Sequence, residues 1–224
     1  MNYILRFDDP AAAQIPLAGG KGANLAMLTQ RGFPVPQGYV IKPEAYRDFV
    51  SEHGPLIAAT REVLQEDPFA LQSHCLHLQE TLRGLPLPDS LVTEVRGLID
   101  DDSPFAVRSS STMEDLAGAA FAGQHDTFLN ISGSERILDS IKSCFLSLWH
   151  HRATAYRHHN GFNHAHAEMA VVLQRMIPCE AAGVGFSINP VSGDLSEMVI
   201  NANYGLGESV VSGESEVDQY ELDK

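Results

Sequence analysis

FAVRSSSTMEDLAGAAFAGQHDTFLN, running from Phe105 to Asn130, is the stretch on which the reading of this chain turns. Its apolar opening, Phe105 to Val107, has the character of a buried strand, and Arg108 stands where that strand is expected to end. Four hydroxyls follow, Ser109, Ser110, Ser111 and Thr112, then the acids Glu114 and Asp115, then a loop of small residues from Gly118 to Gly123 with Phe121 inside it. Small residues let backbone N–H groups come close to a polyphosphate, and a guanidinium offers a planar fork of donors matched to phosphate oxygens. The stretch reads as a phosphate cradle, closed by an alternating strand from Thr127 to Ile131. A glycine-rich surface loop with an incidental arginine has the same composition, so composition alone leaves both readings open.

Toward the N-terminus, Tyr3 to Phe7 reads as a strand and Asp8 to Ile15 as a loop leading into AGGKGAN. There Gly19, Gly20 and Gly22 bracket Lys21, and Ala23 to Gln30 has helical spacing with Leu25 and Leu28 on one face. A lysine at a helix start opposes the macrodipole, and a bound phosphate would relieve that conflict. This is not a Walker A loop, since Gly22 stands where that motif needs Ser or Thr. Phe33-Pro34-Val35-Pro36 is a stiff connector, Tyr39 to Ile41 a short strand, and Pro43 the start of a helix to about Val50. The pattern then stays helical, broken at Asp67-Pro68 and from Gly84 to Pro88, which predicts a small helical insertion over about 43–102. His74 and His77 have a chelating spacing but no evident third ligand, and read as a helix face.

Toward the C-terminus, Ser134 to Trp149 is an amphipathic helix, with Ile137, Ile141, Phe145 and Leu148 on its inner face. His150, His151, His158, His159, His164 and His166 gather around the next helix without a repeated ligand spacing, and read as surface groups. Met169 to Ile177 is a strand interrupted by Gln174, whose amide both donates and accepts hydrogen bonds and so suits an adenine edge. Pro178-Cys179-Glu180 reads as a hinge, before strands Ala182 to Ile188 and Ser196 to Ala202 around an Asn189-to-Asp194 turn. Together these predict an antiparallel strand group over about 168–222. Gly205-Leu206-Gly207 lacks the third glycine and the βαβ unit of a dinucleotide fingerprint.

The 224 residues are 44% apolar, ordinary for a globular protein with a core. No apolar run reaches the ~18 residues of a membrane span, and no signal peptide is evident at the start, which together lead us to expect a cytoplasmic protein without membrane partners. Three widely spaced cysteines indicate neither a disulfide framework nor a zinc site. A formal charge of −14 argues against nucleic acid as a partner.

The string VRSSSTMEDLAGAAFAGQHDTFLN resembles the signature of the nucleotide-binding domain shared by phosphoenolpyruvate synthase, pyruvate phosphate dikinase and rifampin phosphotransferase. LAGGKGANLAML from Leu17, GFPVPQGYVI from Gly32, and LQRMI, NPVSG and NYGLGESVVSG between Val171 and Gly213 agree in order and spacing. The resemblance covers nearly the whole chain apart from the helical region. It implies an α+β, ATP-grasp-like nucleotide-binding domain with a small helical insertion and an incomplete C-terminal lobe.

Residue by residue, the resemblance implies that Lys21 and Arg108 contact the triphosphate, Gly123 and Thr127 the loop-side phosphates, and Gln174 the adenine end. Ser109, Ser110, Glu114 and Asp115 would shape the loop. The family's activity splits ATP to AMP and passes the β-phosphate, through a histidine on a separate domain, to an acceptor such as pyruvate or a rifamycin. The resemblance therefore implies ATP and Mg²⁺ as cofactors, with metal ligands beyond Lys224, and downstream phosphohistidine and acceptor-binding domains as partners. No catalytic residue is expected within these 224 residues. Gly123-Gln124-His125-Asp126-Thr127 is closer to the rifampin phosphotransferases than to the synthases. A stand-alone nucleotide-binding or regulatory module without turnover is the alternative.

Overall fold

The computed structural model describes residues 2–59, 70–100, 102–113, 126–211 and 216–224. The chain divides into two compact units, Met1–Met176 and Ile177–Lys224.

The first unit is built on a five-stranded antiparallel sheet. Its strands are β1 (Ile4–Arg6), β2 (Gly38–Ile41), β3 (Phe105–Ser111), β4 (Thr127–Ile131) and β5 (Met169–Arg175), in the spatial order β1-β2-β5-β3-β4. The central strand β5 reads Met-Ala-Val-Val-Leu before Gln174, a continuous apolar run, because both faces of the sheet are covered. One face carries Ile41, Phe105, Val107, Met169, Val171 and Leu173 into the main core. Among the described residues, four helices close that face: α2 (Pro43–Val50), α3 (Ala70–Arg83), α4 (Asp89–Leu98) and α5 (Ser134–Ser147). On α5, Ile137, Ile141, Phe145 and the following Leu148 are fully buried, as their spacing predicts. The opposite face is narrower and made of small side chains: Val40, Ala170 and Val172 pack on Phe7 and on Ala18 and Ala23 of α1 (Ile15–Gln30). Gly38 belongs to this layer, and a Cβ there would stand 2.5 Å from the Phe7 ring.

The second unit holds β6 (Ala181–Phe186), β7 (Glu197–Tyr204) and β8 (Asp218–Asp223), an antiparallel sheet in sequence order. A single helical turn, Glu208–Val211, lies between β7 and β8 in the chain. The turn after β6 is tied by Asn189, whose Oδ1 accepts from the Val191 and Ser192 N–H groups at 2.9 and 3.2 Å.

Several sequence expectations change. β3 does not stop at Val107 but runs through the serines to Ser111, which places Arg108 in mid-strand. The hydroxyls tolerate burial because each is hydrogen-bonded. α1 starts at Ile15, where a loop was expected, with Pro16 in its first turn. The strand group over about 168–222 is divided, since β5 pairs with β2 and β3 while β6, β7 and β8 form their own sheet. The helical region over about 43–102 contributes Phe49, Leu78, Leu82, Leu91 and Val95 to the main core, so its helices pack as part of the first unit.

Candidate functional site

α1 is two helical segments joined across Gly19, whose φ of 65° and ψ of 176° are open only to glycine. A Cβ on Gly19 would stand 2.1 Å from the Ser110 carbonyl oxygen, so the bend lies directly on the backbone of β3. The fully buried Ser110 hydroxyl fastens it from both sides, donating to the Ala18 carbonyl at 2.8 Å and accepting from the Gly22 N–H at 3.0 Å. A second helix start, with Lys21 in its first turn, is thereby set down on the sheet.

Strand alternation puts Arg108 on the same face as Ser110. Opposite Arg108 stand Val172 on β5 and Thr127 on β4, so Thr127 is also on this face. Gln174 lies two residues on from Val172, paired with Ala106 and Gly38, and again shares the face. Arg108 is half-buried and Thr127 exposed. The Gln174 amide donates to the Pro36 carbonyl at 3.4 Å, which ties it to the proline-rich connector. Along β3 the order is Ser110 with the Lys21 turn, then Arg108 with Thr127, then Ala106 with Gln174. That strip is roughly 13 Å long at the rise of a strand, and it carries cations at one end and an amide at the other.

Ser109 faces the core. Its hydroxyl and its N–H both donate to the Asp126 carbonyl, at 2.8 and 3.2 Å, and hold the start of β4. Burial raises the thiol pKa of the neighbouring Cys144; the Asp126 carboxylate adds to the rise and Lys21 opposes it. Lys21 is therefore within electrostatic reach of the β3–β4 end of the sheet. Gly123, Glu114, Asp115 and the Gly118-to-Gly123 loop lie outside the described residues.

Among the described residues no three His, Cys, Asp or Glu side chains group as a metal site. The histidines need one correction. His151, His158, His159 and His166 are exposed and His150 half-buried, but His164 is buried. It accepts at Nδ1 from Arg157 Nε at 3.3 Å. Arg157 is itself buried over the Trp149 ring, donates to the Leu148 carbonyl at 2.6 Å, and has its pKa lowered to about 10 by burial. A run so rich in charge and histidine gives no local sign that two of its members are internal. The sequence marks Ser110 only as one of four residues expected to shape the loop, and its bond to the α1 bend is not legible there.

Residues 15–224 match the family model described as pyruvate phosphate dikinase, AMP/ATP-binding domain. A probable phosphoenolpyruvate synthase of Methanothermobacter thermautotrophicus is 38% identical over 235 residues, covering 100% of this chain and 34% of the relative. Rifampicin phosphotransferases are similar as well. The protein from a Streptomyces species is 38% identical over 94% of the chain and 25% of the relative, and that of Bacillus cereus 34% identical over 99% and 26%. The chain spans about a third or less of the length of these relatives.

Proposed function

We propose, for a chain that belongs to the pyruvate phosphate dikinase AMP/ATP-binding domain family, that ATP lies along the α1 face of the first sheet. The triphosphate sits between Lys21 and Arg108, and the base reaches toward Gln174. The observation that carries this reading is the common face itself. Arg108, Thr127 and Gln174, from three different strands, share one strip of sheet, and the α1 turn that carries Lys21 is fastened to the same strip through Gly22 and Ser110. Lys21 is a compact point charge in the first turn of a helix, where backbone N–H groups also favour an anion. Arg108 offers two parallel donors, and its mid-strand position fixes their direction. Thr127 opposite it supplies a hydroxyl to the loop-side phosphates, together with the backbone of Gly123. Gln174 can match both a donor and an acceptor on an adenine edge.

Magnesium, when bound with the nucleotide, neutralises charge on bridging phosphate oxygens. Its protein ligands are expected beyond Lys224, and within this chain Lys21 and Arg108 bring positive charge to the triphosphate. In a longer protein this domain would serve a dikinase-type phosphotransferase. ATP would be split to AMP, and the β-phosphate would pass through a histidine on another domain to an acceptor such as pyruvate or a rifamycin.

Photolabelling with 8-azido-ATP tests the placement. We expect label that ATP competes away in the peptides holding Pro36 to Ile41 or Met169 to Met176. Competable label confined to residues after Ile177 overturns it.

A further inference from the structure

We propose that Ser110 is the positioning residue of this site, setting through one hydroxyl where the Lys21 turn stands relative to Arg108. The inference rests on the nucleotide reading of Lys21 and Arg108. A serine hydroxyl has one proton to give and lone pairs to accept with, and here both functions are used on the two arms of a single bend. Ala18, whose carbonyl takes the proton, precedes Gly19; Gly22, whose N–H is accepted, follows it. One oxygen thus spans the bend and leaves it no freedom to slide along β3.

Ser110 and Arg108 are two residues apart on that strand and face the same way, roughly 7 Å from each other at the rise of a strand. A displacement of residues 18–22 is therefore a displacement of Lys21 against the Arg108 guanidinium. Two charged groups that must meet oxygens of one triphosphate lose much of their effect when their spacing drifts by about 1 Å.

The neighbouring serines separate this role from ordinary burial. Ser109, Ser110 and Ser111 are all buried. Ser109 holds Asp126, and Ser111 accepts from the Met113 N–H at 3.2 Å, so of the three hydroxyls only Ser110 is bonded to α1. A loss of stability is expected from Ser110→Ala and from Ser111→Ala alike. A loss of spacing between Lys21 and Arg108 is expected only from the first.

The test is a double-mutant cycle on the whole 224-residue chain, read by NMR titration of the ¹⁵N-labelled protein with Mg-ATP. Ser110→Ala should weaken binding roughly ten-fold, on the scale of a lost buried hydrogen bond. In a Lys21→Ala background the same substitution should change affinity less than about two-fold, because the group it positions is gone. Ser111→Ala should leave affinity unchanged. A full ten-fold loss in the Lys21→Ala background, or an equal loss in Ser111→Ala, overturns the positioning role and leaves the nucleotide reading intact. Lys21→Ala without any effect on affinity overturns both, and is recognisable as the failure of the underlying reading. Should Ser110→Ala not fold, Ser110→Cys, whose larger and weakly bonding thiol cannot hold both arms of the bend at hydroxyl distances, carries the same cycle with a loss in the same direction.

Discussion

The two sheets of this chain differ in what their faces are made of. In the first, β5 is covered on both sides, and Met169 to Leu173 are fully buried. In the second, Met198 pairs with Leu222 and Ile200 with Tyr220 across one face, yet Met198, Leu222 and Tyr220 all remain exposed. The cations divide in the same way: Lys21 and Arg108 attend the first sheet, while after Arg175 the sequence has no basic residue until Lys224. A site that must hold separate charges at fixed spacing needs a support that does not yield. Here that support is the sheet whose other face carries the main core. For the site proposed on this strip, the helices over the far side of β3 and β5 would act as foundations, although none of them is placed at the strip.

Substitutions test how differently the two sheets are held. Gly19→Ala should have the largest effect, about 2 to 6 kcal/mol, because it combines a glycine-only backbone conformation with a Cβ driven into β3. Chemical denaturation measures it, and a loss below about 1 kcal/mol would mean that α1 does not rest on Ser110 as described. Leu173→Ala removes a fully buried side chain from the first core and should cost about 2 to 4 kcal/mol. Leu222→Ala, on the half-exposed face of the second sheet, should cost less than about 1 kcal/mol. Equal costs at these last two positions would erase the distinction between the sheets. Amide hydrogen exchange sharpens it further. β3 and β5 should exchange near the global unfolding rate and β6 to β8 faster, since few buried apolar groups resist their local opening.

Much of the first unit was legible in the sequence, because its elements announce themselves locally. Pro43 marks the start of α2, Tyr39 to Ile41 and Thr127 to Ile131 carry strand patterns, and α5 shows an apolar stripe. The strand through Ser109, Ser110 and Ser111 was not, because serine favours turns unless distant groups satisfy it, and Asp126 and Ala18 do so here. The early start of α1 was hidden by small residues that show no period. The separation of β5 from β6 to β8 depends on long-range pairing, which no local pattern encodes. For the proposed site, Lys21, Arg108, Thr127 and Gln174 are named from motifs, but the face that Arg108, Thr127 and Gln174 share exists only through the strand register.

If the α1 face of the first sheet takes the triphosphate, as proposed, Arg108 is the side chain most directly involved. Arg175 offers a matched control, since it is another arginine of the first sheet, on the adjacent strand, with its guanidinium over the Phe105 ring. Titration calorimetry with Mg-ATP on wild type, Arg108→Lys and Arg175→Lys isolates the guanidinium fork while keeping every charge. Arg108→Lys should lose roughly ten-fold or more in affinity, with Arg175→Lys within about two-fold of wild type. Unchanged affinity in Arg108→Lys, or the larger loss in Arg175→Lys, would contradict the proposed placement.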